Sequence, residues 1–188
     1  HWGKDLELRI NVLNNFTSQL LNQQQNLLFL LVYEAGKTRQ DALNEWREAI
    51  DFCYYYTEQI KQYSAQELAH TAGEKNTLSY QAKGTFVCIS PWNFPLAIFL
   101  GQIVAALITG NTVIAKPASN TQLISRYCLD LFSKAGLPEG ILQLLTGASK
   151  QLANKLLNYH QTYSDNPCYL AGVCFTGSNS ASKHISQQ

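Results

Sequence analysis

Residues 84–117 read GTFVCISPWNFPLAIFLGQIVAALITGNTVIAKP, and their order of apolar runs and breaks decides the fold. A strand-like run at 85–90 is followed, across two prolines, by an apolar helix-length segment at 96–109. A Gly-Asn break then leads into a second strand-like run at 112–116. The same rhythm continues downstream, with helices expected at 121–135 and 149–158 and strands at 141–146 and 172–176. Nearly continuous apolar strands separated by helices point to an α/β fold with a parallel sheet and helices on both of its faces.

Upstream, the pattern is helical. Leu6, Ile10, Leu13, Phe16, Leu20, Leu27, Leu28 and Leu31 recur near helical spacing, so one long helix is expected over 5–34, stopped by Gly36. A second is expected over 39–63, with Leu43, Trp46, Ile50, Cys53, Tyr54, Thr57 and Ile60 along one stripe and Glu45 to Arg47 on the wet face. Residues 64–84 are polar and turn-rich, with a strand near 77–81. Three segments follow: helices at 1–70, a hairpin or oligomerisation segment at 71–84, and a partial dinucleotide-binding unit at 85–188.

The 188 residues are 46% hydrophobic and 14% charged with a net charge of +1, which suits a globular protein with a substantial core. No Lys/Arg stripe marks a nucleic-acid or anionic-membrane surface. The apolar run from Phe94 to Ala115 is broken by Pro95, Gln102, Gly110 and Asn111; it leaves about 15 helix-like residues where roughly 20 are needed to span a bilayer. Five scattered cysteines without a CxxC pair read as reduced thiols in a cytoplasmic protein, and the isolated histidines give no metal site. EAGKT at 34–38 lacks the earlier glycine and the preceding strand of a phosphate loop, and NFT at 15–17 lies within a helix. The chain starts at His1, has no Met and stops inside its strand–helix rhythm, so it is expected to be part of a longer protein.

In open parallel sheets ligands bind outside the carboxyl ends of the strands. Those ends read SPWNFP (90–95), KPASN (116–120), LTGAS (145–149) and FTGSNS (175–180). Gly177 permits close backbone approach, and Ser178 or Asn179 can cap a helix whose first amides face an anion. Lys116 either snorkels into solvent or offers its donors to ribose hydroxyls or phosphate. Asn93, between Trp92 and Phe94 and between two prolines, either caps the following helix or presents a fixed amide to an oxygen gaining negative charge.

ISPWNFP, GNTVIAKP, AGLPEGILQLLTG and FTGS, in this order and at these spacings, resemble the NAD(P)-dependent aldehyde dehydrogenases. The wider stretches EAGKTRQDALNEWREAIDFCYYY and GEKNTLSYQAKGTFVCISPWNFPLAIFLGQIVAALITGNTVIAKPA are most similar to the glutamate-semialdehyde (pyrroline-5-carboxylate) dehydrogenase modules of bifunctional proline-utilisation proteins. The resemblance covers nearly the whole chain and implies a Rossmann-like, incomplete aldehyde dehydrogenase fold. It implies that 89–93 (Ile89, Ser90, Pro91, Trp92, Asn93) line the meeting point of cofactor and substrate, with Asn93 donating to the oxyanion. It implies that Lys116 binds the adenosine ribose and that Gly177 and Ser178 lie beside the pyrophosphate of NAD. It also implies oxidation of an aldehyde, L-glutamate γ-semialdehyde, in proline catabolism, and a dimerisation hairpin near 71–83.

Departures from the family pattern accompany it. The family's nucleophilic cysteine and general-base glutamate fall in motifs beyond Gln188, so the chain alone is expected to be inactive. Cys88, Cys128 and Cys174, on apolar strands or stripes, are expected to be inert thiols. Ser119 stands where NAD-preferring relatives usually carry a glutamate, which eases entry of NADP. GASKQLANKLL lacks a second glycine, and NYHQTYSDNPCYLAG is longer than the usual link. A sheet ending after four strands exposes an edge, so the chain is expected either to associate through it, as a homo-oligomer or otherwise, or to be only marginally stable. The alternatives are an aldehyde dehydrogenase of other specificity and a non-catalytic nucleotide-binding or scaffold fragment.

Overall fold

The computed structural model describes residues 2–63, 66–147, 156 and 170–187. Helix α1 spans Leu6–Asn22; Asp5 caps it, its carboxylate accepting from Leu8 N at 2.9 Å. Helix α2 spans Gln24–Tyr33, so the single helix expected over 5–34 is broken at Gln23. The break has a tertiary cause: the Gln23 side-chain oxygen accepts from the Tyr127 hydroxyl at 2.7 Å and from Asn26 Nδ2 at 2.8 Å. Gly36, at φ +67°, follows α2 as a left-handed glycine stop. Helix α3 spans Arg39–Gln59, capped by Thr38 Oγ1 at 3.1 Å from Asp41 N, and continues as a 3-10 turn over Ile60–Tyr63.

Strands β1 (Gln66–Glu67) and β2 (Thr77–Leu78) form a small antiparallel pair that is exposed throughout. Its first strand precedes residue 71 and was not marked in the sequence, because Gln and Glu carry no strand signal. The main elements are β3 (Thr85–Ile89), α4 (Ala97–Ile108), β4 (Thr112–Lys116), α5 (Gln122–Lys134), β5 (Leu142–Leu144), β6 (Leu170–Phe175) and α6 (Asn179–Ser186). The strands form one parallel sheet in the order β5-β4-β3-β6. Every expected strand of this sheet is present. The helix expected at 149–158 lies outside the described residues apart from Leu156, as does Cys168.

Strand register divides the sheet into two faces. The rows Leu142–Val113–Phe86–Gly172 and Leu144–Ala115–Cys88–Cys174 share one face. Their buried members join α4, α5 and the helical arm α1–α3 in a common core, where Phe16 of α1 stacks on Phe132 of α5 with ring centroids 3.6 Å apart. Phe99, Leu100, Ile103, Val104 and Leu107 of α4 are fully enclosed, each such side chain worth about 1.5–3 kcal/mol of burial. The opposite face carries Val87, Ile89, Lys116 and Phe175, and α6 adds a helix to it.

The arm grips α4 at both ends. Glu45 Oε1 accepts from Leu96 N at 2.7 Å and Ala97 N at 3.2 Å, where the helix dipole favours negative charge. At the other end Arg9 Nε donates to Ile108 O at 2.8 Å, where it favours positive charge. Glu45 is therefore a buried residue, 1% exposed, and not part of the wet face expected for it.

Candidate functional site

The carboxyl ends of β3, β4 and β6 open into a cleft of about 820 Å³ on the α6 side of the sheet. Of the residues singled out in the sequence, Ile89, Ser90, Pro91, Trp92, Asn93, Lys116, Gly177 and Ser178 all line it. Ser119 does not: it is exposed on the turn before α5, where its carbonyl accepts from Gln122 Nε2 at 3.0 Å, and Ala118 lines the cleft instead. No carboxylate is among the described lining residues, which suits an anionic ligand.

Lys116 is 4% exposed and does not snorkel into solvent. Its ammonium donates to Pro117 O at 3.0 Å, and burial lowers its pKa from the ordinary lysine value. Beside it in strand register is Ile89, whose successor Ser90 donates its amide to Lys116 O at 3.2 Å. The Ser90 hydroxyl is buried and has no hydrogen-bond partner among the described residues, an orphaned polar group in the cleft wall. On the β6 side, Ser178 sits in extended conformation at the head of α6, its Oγ accepting from Ala181 N at 3.3 Å. A Cβ on Gly177 would stand 2.5 Å from the Phe175 ring, so glycine lets this ring and the turn share the cleft wall. A buried ammonium, an orphaned hydroxyl and a capped helix N-terminus thus frame one space, a donor set that fits the phosphates and ribose of a dinucleotide.

Asn93 lies exposed on the loop between β3 and α4. Of its two sequence readings, the helix cap is excluded, because α4 has Leu96 at its N-cap position and takes its cap from Glu45. The flanking rings do not enclose it either, since Trp92 is 59% exposed. What holds the loop is Phe94, whose ring lies under the Lys37 ammonium at 4.2 Å, while Lys37 pairs with Glu45 Oε2 at 2.6 Å.

Sequence reasoning missed Ala181, His184 and Ile185, which reach the cleft from α6. Helical spacing from Ser178 was the available signal: positions three, six and seven residues on fall on one face.

The described cysteines lie away from the cleft. Burial pushes the Cys53 thiol up to about 12 and raises Cys128 as well. Cys88 is raised by its hydrogen bond with Cys174 and by burial. Cys174 is the partner of Cys88 across the β3–β6 pair. It is half-buried beside a groove of about 460 Å³ on the helix-covered face, and the hydrogen bond with Cys88 holds its pKa down at about 7. That face is the opposite one, so Cys174 is not placed against a ligand in the cleft. Among the described residues no helix is long and apolar enough to cross a membrane.

Comparison with known proteins gives this arrangement a context. The chain is 42% identical over 170 residues to the bifunctional protein PutA of Escherichia coli K12, covering 90% of this chain and 11% of that protein. It is 35% identical over 173 residues to 1-pyrroline-5-carboxylate dehydrogenase 1 of Halalkalibacterium halodurans, covering 92% of this chain and 32% of the relative. Among solved structures, a 1-pyrroline-5-carboxylate dehydrogenase from Thermus with bound NAD superposes with a TM-score of 0.89 at 33% identity, over 99% of this chain and 34% of that one. The chain thus spans about a third or less of the relatives it matches. The family model for aldehyde dehydrogenases matches residues 1–188, and the chain belongs to the aldehyde dehydrogenase family.

Proposed function

We propose that this chain is the N-terminal, cofactor-binding portion of an NAD(P)-dependent aldehyde dehydrogenase acting on L-glutamate γ-semialdehyde in the cytoplasm. The observation that carries the reading is the convergence of Lys116, Ser90 and the Gly177–Ser178 helix start on one carboxylate-free cleft. The substrate follows from the names of the relatives, which are pyrroline-5-carboxylate dehydrogenases and PutA proteins.

In this reading Lys116 holds ribose hydroxyls, and Gly177, Ser178 and the first amides of α6 receive the pyrophosphate. Residues 89–93 then face the reacting end. A dinucleotide held there would supply a nicotinamide able to accept hydride. Asn93 donates its amide to the oxygen that becomes negative when a thiolate attacks the aldehyde, a contribution of about 10²- to 10³-fold in rate for such donors. The family's nucleophile and general base are not among the residues assigned a role here, and in this reading the chain by itself binds without turning over. Ala118 lines the cleft at this turn and Ser119 lies just outside it, so no carboxylate is among the described lining residues to select against NADP⁺. The β1–β2 hairpin and the edge of β6 that no strand covers among the described residues are the surfaces we assign to self-association.

Calorimetric titration of the chain with NAD⁺ and NADP⁺ tests this. Saturable binding is expected, with affinities for the two cofactors close together. Lys116→Ala removes a charge-assisted bond of about 1.5–3 kcal/mol, roughly tenfold or more in affinity. Equal affinity of the substituted and native chains would refute the assignment.

A further inference from the structure

We propose that Lys37 and Glu45 act as a positioning pair for Asn93, an inference that rests on the oxyanion role given to Asn93 above. The loop 90–96 carries Asn93 out into the cleft with its neighbour Trp92 exposed, so its geometry must be fixed from its other end. Two attachments do this. Glu45 Oε1 accepts from the amides of Leu96 and Ala97, which ties down the point where the loop becomes α4. Glu45 Oε2 holds Lys37 Nζ at 2.6 Å, and the same ammonium lies 4.2 Å from the centre of the Phe94 ring, the residue next to Asn93.

The pair is built as one unit. The Glu45 side chain is fully enclosed and that of Lys37 is 12% exposed, so neither is free to follow solvent. Lys37 is placed by its own backbone, its amide donating to Leu31 O at 3.2 Å just past the Gly36 stop. A carboxylate of α3 and the ammonium of the α2–α3 connection are thereby tied to the loop before α4, with Phe94 as the contact. Neither group lines the cleft, so both act through Asn93 and not on the ligand.

Glu45→Gln separates the two attachments. The amide oxygen can still accept from Leu96 and Ala97, but the NH₂ group then faces the Lys37 ammonium, donor against donor. Lys37→Met is the complementary variant: it leaves the two accepted amides in place and removes the charge over Phe94. Lys37→Arg is the conservative rescue, since a guanidinium supplies both the ion pair and the ring contact.

The test is steady-state kinetics of the complete gene product with NAD⁺ and 1-pyrroline-5-carboxylate, in a double-mutant cycle with Asn93→Ala. Glu45→Gln and Lys37→Met are expected to lower kcat roughly tenfold to a hundredfold, as small displacements of a catalytic group do, with KM for NAD⁺ changed by no more than about twofold. Lys37→Arg should recover most of the loss. In the Asn93→Ala background the same substitutions should change kcat by less than about twofold, because there is no longer a donor to misplace. Undiminished losses in that background, or native kcat in a folded Glu45→Gln or Lys37→Met protein, would overturn the positioning role while leaving the Asn93 reading intact. Native kcat in Asn93→Ala would instead remove the oxyanion reading, and this inference with it. Should Glu45→Gln not fold, Lys37→Met and its Arg rescue decide the matter alone.

Discussion

Of the three strand-to-helix connections among the described residues, two borrow their helix caps and the third makes its own. Helix α4 begins at Leu96 without a side-chain cap and is served by Glu45 of α3. Helix α5 begins after Thr121, also without one, and is served by Glu34 at the end of α2, whose carboxylate accepts from Leu123 N at 2.7 Å and Ile124 N at 2.9 Å. Helix α6 is capped by Ser178, the residue immediately before it. Local caps make a helix start independent of the rest of the molecule. Borrowed caps make the starts of α4 and α5 conditional on the arm being docked, so arm and sheet are expected to unfold as one unit.

The sharpest way to break this comparison is Glu45→Ala. It strips two amides of their acceptor and leaves the Lys37 ammonium buried without its partner, for which about 3–5 kcal/mol is the expected loss. Urea unfolding followed by circular dichroism measures it, and a loss under about 1 kcal/mol would show that the cap is replaceable. Glu34→Ala should cost less, about 1–2 kcal/mol, because Glu34 is half-buried and no cation depends on it in the same way. Both transitions should remain cooperative, with the helical and tryptophan signals coincident. A separate early transition of the arm would contradict the shared core.

Ser178→Ala is the smallest. It removes one hydroxyl acceptor on an exposed helix start and should lower stability by about 0.5–1 kcal/mol. Its distinguishing effect is on the ligand: NAD⁺ affinity should fall by a few-fold, about 1 kcal/mol, while the Glu34 substitution leaves affinity unchanged. Calorimetry on both variants makes the distinction, and equal affinities in the two would contradict it.

What could be read from the sequence follows the same line between local and long-range causes. The strands at 85–89 and 112–116, the helix between them and the Gly36 stop carry their signals in adjacent residues: apolar runs, prolines and glycines. The FTGS turn carried its own cap, so the start of α6 was legible too. The division at Gln23 was not, because its cause is the Tyr127 hydroxyl a hundred residues away in sequence. Glu45 was misread as a surface residue although it lies one helical turn from both Ala42 and Ala49 on the buried stripe. A charge on an apolar stripe marks a buried partner, and here that partner is the head of another helix. The eight cleft residues were found together because each sits at, or within four residues after, the carboxyl end of a parallel strand, where topology brings distant segments side by side. Ser119 fell outside the cleft because its turn faces solvent, its carbonyl accepting from Gln122 at the start of α5.

The central claim, that the α6-side cleft receives NAD⁺, is tested most directly by amide hydrogen exchange of the chain with and without the dinucleotide. Slower exchange is predicted at the head of α6, residues 177–181, and along 89–93, with no change in the β1–β2 hairpin or in the groove beside Cys174. Protection confined to that groove, or to the hairpin, would place the nucleotide elsewhere and contradict the account.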